Sequence, residues 1–343
     1  MTTMQRQADV PSQAAIMQMV HGKCVSRCVS LAAELAIADL IADGPKDVAT
    51  IASATGTNPD ALYRVLRMLA GMGIFVELAN KQFRNSPLSE ALGSLSDASI
   101  RNYARLFGRE WHWRIWTGLE YSVHTGKPST FKDHPDKMPF EVLAENPADQ
   151  EVFNKAMTEL SAAEDPAIVQ AYDFSQFGRI IEVGGGHGAL ALLIVQKTPQ
   201  ARVTVFDLPQ VIEGTRERLS DGGSMERIDL KGGSFFDSVP GPADLCVLKH
   251  VLHDWDDDRA RRILRNCREA LSDSGRVLVC EMLVTEGPEG IPALLLDIEM
   301  LVGPGGRERT QEEFSELFAA AGLRLHRIIP TQTPIRLLEA IPS

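Results

Sequence analysis

Basic residues and long apolar runs are both scarce in this 343-residue chain, and each scarcity excludes a class of protein. The 35 Lys and Arg are outnumbered by 46 Asp and Glu, which gives 35 − 46 = −11 with neutral histidines. This acid excess argues against a nucleic-acid partner, because phosphates need a cationic face. No apolar run reaches the roughly 18 residues that span a membrane. The first 15 residues also lack the apolar centre of a signal peptide, so we expect a cytoplasmic protein.

Cysteine is scarce as well, and the five present form an odd count without the spacing of a disulfide framework. Cys246 and Cys280 lie in the apolar runs LCVLKHVL and RVLVCEML, where we expect buried thiols that behave as small hydrophobes. His21, Cys24 and Cys28 could share one helical face. A zinc site needs a fourth ligand, however, and no second Cys/His pair stands nearby. We therefore predict no metal site.

The composition that remains, 44% hydrophobic and 24% charged, is that of a folded protein. Its length predicts about two domains at roughly 150 residues each. Apolar residues at helical spacing predict one helix over residues 12–42. Two short helices and a hairpin with its turn at residues 79–81 then make a winged-helix pattern. The second helix offers only Arg64 and Arg67 to DNA, so the acidic chain favours a dimerisation module or a substrate lid.

A helical stretch at residues 97–125 holds Trp111, Trp113 and Trp116, which are three of the four tryptophans. These rings can form a packed core between helices or the wall of an aromatic-substrate pocket, and the two interpretations are compatible. A further helix is predicted over residues 149–172.

From Gly178 onward, short β-rich runs alternate with helical ones. This alternation predicts an α/β domain with a parallel sheet covered by helices on both faces. The last two β-rich runs, LRLHRII and IRLLEAI, are close enough to form an antiparallel hairpin. We place the domain boundary between residues 172 and 173.

A glycine loop at residues 184–188 follows the strand RIIEV and opens a helix, which is the arrangement of a nucleotide site. Asp207 stands 21 positions after Gly186, where a carboxylate can accept hydrogen bonds from ribose hydroxyls. Gly184, Gly186 and Ala189 also fit the dinucleotide fingerprint. Glu182, however, could meet a cationic amino-acid tail and would oppose a pyrophosphate. The loop therefore favours S-adenosylmethionine over NAD.

The segment LKHVLHDW lies at the carboxyl end of the fourth strand of this domain, the edge at which open α/β sheets bind ligands. Methylating a phenol requires removal of its proton. A phenol has a pKa near 10 and histidine one near 6.5, so a positioned imidazole is a suitable base. His253 is our candidate, and we expect His250, on the apolar strand, to be structural.

Six motifs in order resemble the caffeate-type O-methyltransferase family, which includes plant phenylpropanoid and bacterial tailoring enzymes: EVGGGHG, VFDLP, GGSFFDSVP, LKHVLHDWDDD, NCREALSDSGRVLVCEML and GGRERTQEEF. The resemblance is continuous from about residue 178 to the end and weaker before it, as in FNKAMTELS at 153–161. It implies a class I methyltransferase Rossmann-like sheet, parallel with an antiparallel last strand. It also implies a mostly helical winged-helix dimerisation and substrate-pocket domain over residues 1–172, ahead of a cofactor-binding catalytic domain over residues 173–343.

The resemblance also implies roles for individual residues. The base and two flanking acids are His253, Glu281 and Glu308. The cofactor contacts, besides Glu182, are Gly184, Gly186, Asp207, Phe235 and Lys249. Ser234 departs from the family, which often has an Asp there, so we expect a weaker adenine contact. The acceptor contacts are Met157, Trp255, Asp297 and Met300.

These features together predict an S-adenosylmethionine-dependent O-methyltransferase that methylates an aromatic hydroxyl of a secondary metabolite and releases S-adenosylhomocysteine. Asp256, Asp257 and Asp258 suit a capped helix turn rather than a metal, so we expect a metal-independent enzyme. A homodimer through the N-terminal domain is expected. The alternatives are a relative that performs hydroxylation or decarboxylation and an NAD-dependent oxidoreductase, which Glu182 disfavours.

Overall fold

The computed structural model describes residues 12–96, 98–219 and 225–343, which divide into two compact units. The first unit holds the described residues up to Trp113 together with Pro147–Glu159. The second unit holds Arg114–Asn146 together with Leu160–Ser343. Residues 1–11, for which no signal peptide is predicted, lie outside the described residues, as does Asp97 at the start of the predicted 97–125 stretch.

The N-terminal half of the chain is mostly helical. Its helices and strands are α1 (Ser12–Glu34), α2 (Ile37–Leu40), β1 (Lys46–Asp47), α3 (Val48–Thr55), α4 (Pro59–Gly71), β2 (Phe75–Leu78), β3 (Gln82–Asn85), α5 (Pro87–Glu90), α6 (Arg101–Leu106), α7 (Glu110–Thr117), α8 (Leu119–Thr125), α9 (Pro139–Ala144) and α10 (Pro147–Ala171).

The C-terminal half alternates strands and helices. They are β4 (Arg179–Val183), α11 (Ala189–Lys197), β5 (Arg202–Asp207), α12 (Pro209–Leu219), β6 (Ile228–Gly232), β7 (Ala243–Lys249), α13 (Asp257–Ala270), β8 (Leu271–Glu281), α14 (Ile291–Val302), α15 (Gln311–Ala320), β9 (Leu323–Pro330) and β10 (Arg336–Pro342). Short 3-10 turns occur at Ala79–Lys81, Ser129–Lys132, Phe174–Gln176, Met225–Arg227, Leu252–Asp254 and Pro288–Gly290.

The predicted winged helix is present in the first unit. Helices α3 and α4 pack with a three-stranded sheet of order β1-β3-β2, and β2 and β3 form the antiparallel hairpin. Asp47 and Asn58 cap the two helices by accepting backbone N–H groups at 2.9 and 3.0 Å. Leu66, Phe75 and Phe83 are fully buried between these elements. Local capping and a small apolar core therefore define this module.

One helix prediction in the N-terminal half is wrong, and one predicted helical stretch is divided. The single helix predicted over residues 12–42 is broken at Ala36, whose φ of 52° is left-handed, and α2 follows it. Alanine is the best helix former, so its sequence gives no sign of this break. The stretch 97–125 contains three helices, which are separated near Gly108 and Gly118. A Cβ atom at Gly118 would lie 2.5 Å from Ser129 Cβ, so close packing requires glycine there.

The second unit contains a seven-stranded sheet of order β6-β5-β4-β7-β8-β10-β9. Neighbouring strands from β6 to β8 run parallel, whereas β10 runs antiparallel to both β8 and β9. The predicted parallel sheet with an antiparallel last strand is therefore confirmed.

Helices cover both faces of this sheet. Ile180, Leu245 and Leu278 point to one face, where they pack with α11 and the end of α10. Their strand neighbours Ile181 and Cys246 point to the other face, where they pack with α13 and α15. Because both faces are covered at the centre of the sheet, β4, β7 and the end of β8 are continuously buried rather than alternating. Cys246 and Cys280 are buried, as predicted.

The two compact units do not meet at residue 172, the predicted boundary. The second unit includes Arg114–Asn146 and resumes at Leu160. Ile168, Val169 and Tyr172 pack beneath the sheet, and Ser129 donates a hydrogen bond to the Val302 carbonyl at 3.1 Å. The change of sequence texture at Gly178 thus marks the start of the β/α alternation and not the edge of the packed unit. No helix in the described part of the chain is both long and apolar enough to cross a membrane.

Candidate active site

The predicted cofactor and base residues of the second unit meet at one edge of the sheet. The glycine loop follows β4, Asp207 ends β5, Lys249 ends β7 and Glu281 ends β8. Because these four strands are parallel, their carboxyl ends share that edge, where doubly wound sheets bind ligands. The sheet topology thus assembles the residues that the sequence separates.

The glycine loop turns sharply between β4 and α11. Gly184 and Gly186 have φ values of 69° and 53°, a left-handed conformation that glycine adopts without strain. A Cβ atom added at Gly184 would lie 2.8 Å from Val251 Cγ2, so this position also needs glycine for space. The N-cap of α11, Gly188, has no side chain to cap the helix. The loop therefore leaves backbone open to a ligand.

Asp207 and Glu182 hold the glycine loop and the start of α11 by accepting backbone N–H groups. Asp207 accepts the Gly186 N–H at 2.8 Å and the Leu208 N–H at 2.7 Å, and burial raises its pKa. Glu182 is only 3% exposed and accepts the Ala191 N–H in the first turn of α11 at 3.2 Å. Burial and then the nearby charge of Asp165 raise the pKa of Glu182 to about 8. Glu182 thus supports the loop, and its contact with an amino-acid tail stays a prediction.

An aromatic cluster borders the same loop. The added Cβ at Gly184 would lie 3.8 Å from the Phe235 ring, which places Phe235 beside the loop. The centroid of the Trp255 ring lies 4.8 Å from that of Phe236 and 6.1 Å from that of Phe235. Ser234 Oγ accepts the Phe236 N–H at 3.2 Å, so it orders this turn. The structure therefore groups Trp255 with the predicted adenine contacts, and its role as an acceptor contact stays a prediction.

Lys249 connects β7 to α10 through residues that our sequence reasoning missed. Its Nζ donates to Ser161 Oγ at 2.8 Å and forms an ion pair with Asp165. Asp165 is 1% exposed, and burial raises the pKa of this carboxyl. Ser161 and Asp165 are four positions apart and so share one helix face. This spacing was the only sign in the sequence that the two residues act together, because both lie before the β/α alternation that begins at Gly178.

The base candidate is held by Glu308. His253 is 6% exposed, and its Nδ1 lies 2.6 Å from Glu308 Oε1, while Nε2 lies 3.7 Å from Asp254 Oδ1. Glu281, the other acid near the base, contacts the backbone and not the ring: its Oε1 accepts the N–H groups of Leu252 at 2.7 Å and His253 at 3.2 Å. Glu308 therefore orients the ring, and Glu281 orients the backbone that carries it.

The three acids change the proton affinity of His253. Burial alone would lower its pKa, but the hydrogen bond to Glu308 and the charges of Asp254 and Glu281 together raise the pKa to about 10. Asp254 and Glu281 have raised pKa values, chiefly because they are buried. The site thus stabilises an imidazolium.

A buried arginine holds the loop around His253, and sequence reasoning missed it. Arg309 is 1% exposed and donates to the carbonyls of Leu252 at 3.0 Å and Trp255 at 2.8 Å. It also pairs with Asp257 at 2.9 Å. A Cβ atom at Gly306 would lie 1.9 Å from the His253 carbonyl oxygen, so only glycine fits there. The motif GGRERT thus supplies the loop's packing partner as well as Glu308.

The remaining predicted acceptor contacts are in different surroundings. Asp297 accepts the Glu308 N–H at 2.9 Å, and Met300 is 8% exposed in α14. Met157 belongs to the first unit and packs with Leu106, Val152 and Ala156. Roles for these three side chains in acceptor binding stay predictions.

The residues at the edge of the sheet fit an adenosyl cofactor with a charged tail. Gly186 has open space where a side chain would stand, and the Asp207 carboxylate accepts its N–H at 2.8 Å. The buried Oδ2 of Asp165 has no hydrogen-bond partner among the described residues, next to the Lys249 ion pair. A buried unpaired carboxylate oxygen is a place where a cationic ligand group can bind.

Comparison with known proteins gives concordant matches. A family model described as an O-methyltransferase domain matches residues 116–324, and one described as an O-methyltransferase dimerisation domain matches residues 17–94. The phenazine O-methyltransferase PhzM of Lysobacter antibioticus is 39% identical over 342 residues, which cover 100% of both chains. The mitomycin biosynthesis 6-O-methyltransferase of Streptomyces lavendulae is 35% identical over 97% of this chain and 95% of its own.

Other relatives extend the range of acceptor chemistry. A phenazine-1-carboxylate N-methyltransferase of Pseudomonas aeruginosa is 31% identical over 95% of this chain and 96% of its own. The crystal structure of LaPhzM superposes with a TM-score of 0.91 at 39% identity, covering 97% of this chain and all of that one. The O-methyltransferase NcsB1, solved with S-adenosylmethionine and 2-hydroxy-5-methyl naphthoic acid, superposes with a TM-score of 0.82 at 30% identity over 98% of this chain and 100% of that one.

Proposed function

The chain belongs to the O-methyltransferase family and uses S-adenosylmethionine as its cofactor, and from this we propose that it methylates an aromatic hydroxyl with His253 as general base. The observation that carries the proposal is the buried His253–Glu308 pair at 2.6 Å, at the sheet edge that also holds the glycine loop. The relatives that act on phenazines, and NcsB1 with its bound hydroxynaphthoic acid, support a fused aromatic acceptor.

The cofactor would be held by the glycine loop, Asp207, Phe235 and Lys249. When bound, S-adenosylmethionine supplies a methyl group activated by its sulfonium sulfur. Gly184 and Gly186 allow the backbone to approach the ligand, and the two oxygens of Asp207 keep lone pairs for ribose hydroxyls. Much of the rate acceleration would come from holding the two reacting atoms in near-attack geometry.

His253 removes the acceptor proton at Nε2, because Nδ1 is engaged by Glu308. Glu308 fixes the orientation of the ring and stabilises the imidazolium that forms. The His253 pKa of about 10 is close to that of a free phenol, so the proton moves between acceptor oxygen and imidazole with little change in free energy. This imidazole supplies the base, so the proposed reaction needs no metal ion.

We also propose that the protein is a homodimer formed by the first unit. Four large apolar residues near the start of α1 are strongly exposed: Ile16, Met17, Met19 and Val20. A helix that exposes such a face gains little stability from its own chain. The match of residues 17–94 to an O-methyltransferase dimerisation domain makes a second copy the fitting partner.

Mass spectrometry of reaction products would test the proposed reaction. We expect a panel of hydroxylated benzenes, naphthalenes and phenazines, incubated with S-adenosylmethionine, to yield products in which methyl replaces a hydroxyl hydrogen. His253→Gln should lower kcat by about 10²- to 10⁴-fold, because it removes the base. Its affinity for S-adenosylhomocysteine, measured by calorimetry, should stay within a few-fold of wild type.

Three outcomes would contradict this proposal. A product that gains oxygen or loses carbon dioxide would indicate hydroxylation or decarboxylation. Methylation of nitrogen on acceptors that carry both amino and hydroxyl groups would place the enzyme with its N-methylating relatives. Undiminished turnover by His253→Gln would exclude His253 as the base.

A further inference from the structure

Thr215 is a polar residue on the buried face of helix α12. This helix is mostly exposed, and among its described side chains only those of Ile212 and Thr215 are buried. Thr215 is 0% exposed, and a buried hydroxyl needs hydrogen-bond partners. Alanine or leucine would suit this helical position better if only packing mattered. The partners of the hydroxyl therefore show what this residue adds.

The Thr215 hydroxyl contacts two carbonyl oxygens, one within α12 and one in the glycine loop. Its Oγ1 lies 2.8 Å from the Val211 carbonyl oxygen, which is the usual contact of a threonine with the preceding helical turn. Oγ1 also lies 2.8 Å from the carbonyl oxygen of Gly186, which is 29 positions away in the chain. Carbonyls can only accept, so the hydroxyl is the donor to both and shares its one proton between them. The contact within the helix would satisfy the hydroxyl by itself, so the second bond serves Gly186.

Gly186 is held on both sides of its Cα atom by hydrogen bonds. Its N–H donates to Asp207 Oδ2 at 2.8 Å, and its carbonyl accepts the Thr215 hydroxyl. The structure gives this carbonyl no other donor among the residues that it describes. A Cβ atom added at Gly186 would meet nothing within 4 Å, so side-chain packing does not fix this left-handed glycine. Its position depends on β5 at one peptide group and on α12 at the other.

The position of Gly186 in turn affects the Asp207 carboxylate. Oδ2 of Asp207 accepts the Gly186 N–H and Oδ1 accepts the Leu208 N–H, so each oxygen is directed by one backbone donor. Burial raises the pKa of Asp207, and these two hydrogen bonds oppose that rise. Each oxygen keeps a lone pair with which it can accept a ribose hydroxyl. If Gly186 moved, Oδ2 would lose the donor that directs it, and a ribose hydroxyl would meet a less ordered acceptor.

We propose that Thr215 is a positioning residue for the cofactor, which holds the Gly186 carbonyl and thereby directs the Asp207 carboxylate to the ribose hydroxyls. Thr215 acts through the loop and not by contact with the cofactor, because its side chain is fully buried and its proton is shared by two carbonyls. The inference rests on the cofactor contacts of the proposed function and is independent of the acceptor and of His253. It makes α12 partly responsible for selecting ribose over 2′-deoxyribose.

Calorimetry with S-adenosylhomocysteine and with its 2′-deoxyribose analogue would test the role of Thr215. We expect wild type to bind the ribose form at least about tenfold more tightly, because a carboxylate accepts its 2′-hydroxyl. Thr215→Val removes the hydroxyl and keeps the branched shape of the side chain. It should raise the Kd for S-adenosylhomocysteine by about tenfold and the Kd for the analogue by no more than about threefold. Thr215→Ser keeps the hydroxyl and should bind both ligands within about threefold of wild type.

Two further variants separate positioning from folding. Thr125→Val removes a hydroxyl that donates within its own helix, to the Tyr121 carbonyl at 2.7 Å, and should leave both Kd values unchanged. Thr215→Ala also lacks the hydroxyl and gives the same comparison if valine disturbs the packing of α12. Unchanged binding by these Thr215 variants, or equal weakening of both ligands, would overturn the proposal, as would a wild type that binds the two ligands equally.

The binding measurements use no acceptor, so they separate this inference from the proposed reaction. If no hydroxylated acceptor is methylated, the proposed reaction is contradicted while the Kd values still report on Thr215. If methylation occurs but Thr215→Val keeps the ribose preference of wild type, the reaction stands and the role of Thr215 does not.

Discussion

His253 is flanked by the carboxylates of Asp254, Glu281 and Glu308, and this surrounding sets the pH range in which it can accept a proton. With a pKa of about 10, the ring is largely protonated at neutral pH, and a protonated imidazole cannot take up the acceptor proton. The neutral fraction grows as the pH rises. The same negative charge that limits the free base at neutral pH also stabilises the imidazolium once it forms.

The pH dependence of kcat/KM should therefore reflect Glu308. In wild type we expect kcat/KM to rise with pH from neutrality toward the His253 pKa of about 10. Glu308→Gln keeps a hydrogen-bonding group at Nδ1 but removes its charge, so the pKa of His253 falls and the rising limb moves to lower pH. Measuring kcat/KM for one acceptor at intervals from about pH 6 to about pH 10 would locate the rising limb in each protein.

The control for that experiment is Glu312→Gln, which makes the same change at an exposed position of α15. It should leave the profile in place, because an exposed charge is screened by solvent. Coincident rising limbs for wild type and Glu308→Gln would show that Glu308 does not govern the proton affinity of His253.

For Glu281, the position in the fold could be predicted from the sequence, but the direction of the side chain could not. The motif RVLVCEML placed it at the end of a strand, and the parallel sheet then brings it to the same edge as His253. Glu281 lies beside the base, but it accepts the backbone N–H groups of Leu252 and His253, whereas Glu308 contacts the imidazole itself. A motif fixes the position of a residue in the fold, whereas side-chain direction depends on rotamers and neighbours.

At the scale of elements, the loop between β7 and α13 is fixed by the segment that precedes α15. Arg309 donates to carbonyls on both sides of His253, and the Arg307 N–H donates to the carbonyl of His253 itself at 2.8 Å. The Leu252 carbonyl also accepts the Trp255 N–H at 3.2 Å, so Arg309 adds a second donor there and ties this turn to the Trp255 carbonyl. The base is therefore positioned by backbone packing as well as by Glu308.

Arg309→Met should weaken this positioning. The change removes the Arg309 donor of the Trp255 carbonyl and one of the two donors of the Leu252 carbonyl, and we expect it to destabilise the fold by about 2 kcal/mol. A displacement of the base by about 1 Å would lower kcat by about 10²-fold. Denaturant unfolding and single-turnover kinetics measure the two effects separately.

Arg307→Met is the matched control, because this neighbouring side chain is half exposed and, among the described residues, pairs with Asp257 and Glu313. It should change stability by no more than about 0.5 kcal/mol and leave kcat near wild type. If Arg309→Met loses stability but keeps wild-type kcat, the arginine supports the fold and does not position the base.

At the scale of the whole molecule, periodicity predicted the β/α alternation well because buried parallel strands are apolar throughout. It did not predict which helices pack with the sheet. Residues 114–146 and the end of α10 belong to the second unit through contacts such as Ser129 with Val302, which join positions far apart in sequence. Nor did it predict the break at Ala36, since one left-handed residue leaves no periodic signal.

The exposed apolar face of α1 is expected to form the dimer interface. Met19 and Val20 are 73% and 63% exposed, and burial of such side chains against a second copy would be favourable by about 1.5–3 kcal/mol each. We expect wild type to sediment at twice the mass of one chain, and the double variant Met19→Glu, Val20→Glu to sediment at the mass of one. Val123→Glu, at a 68% exposed position of α8 in the second unit, should remain a dimer. A dimer that persists in the double variant would place the interface elsewhere, and a wild-type monomer would exclude the homodimer.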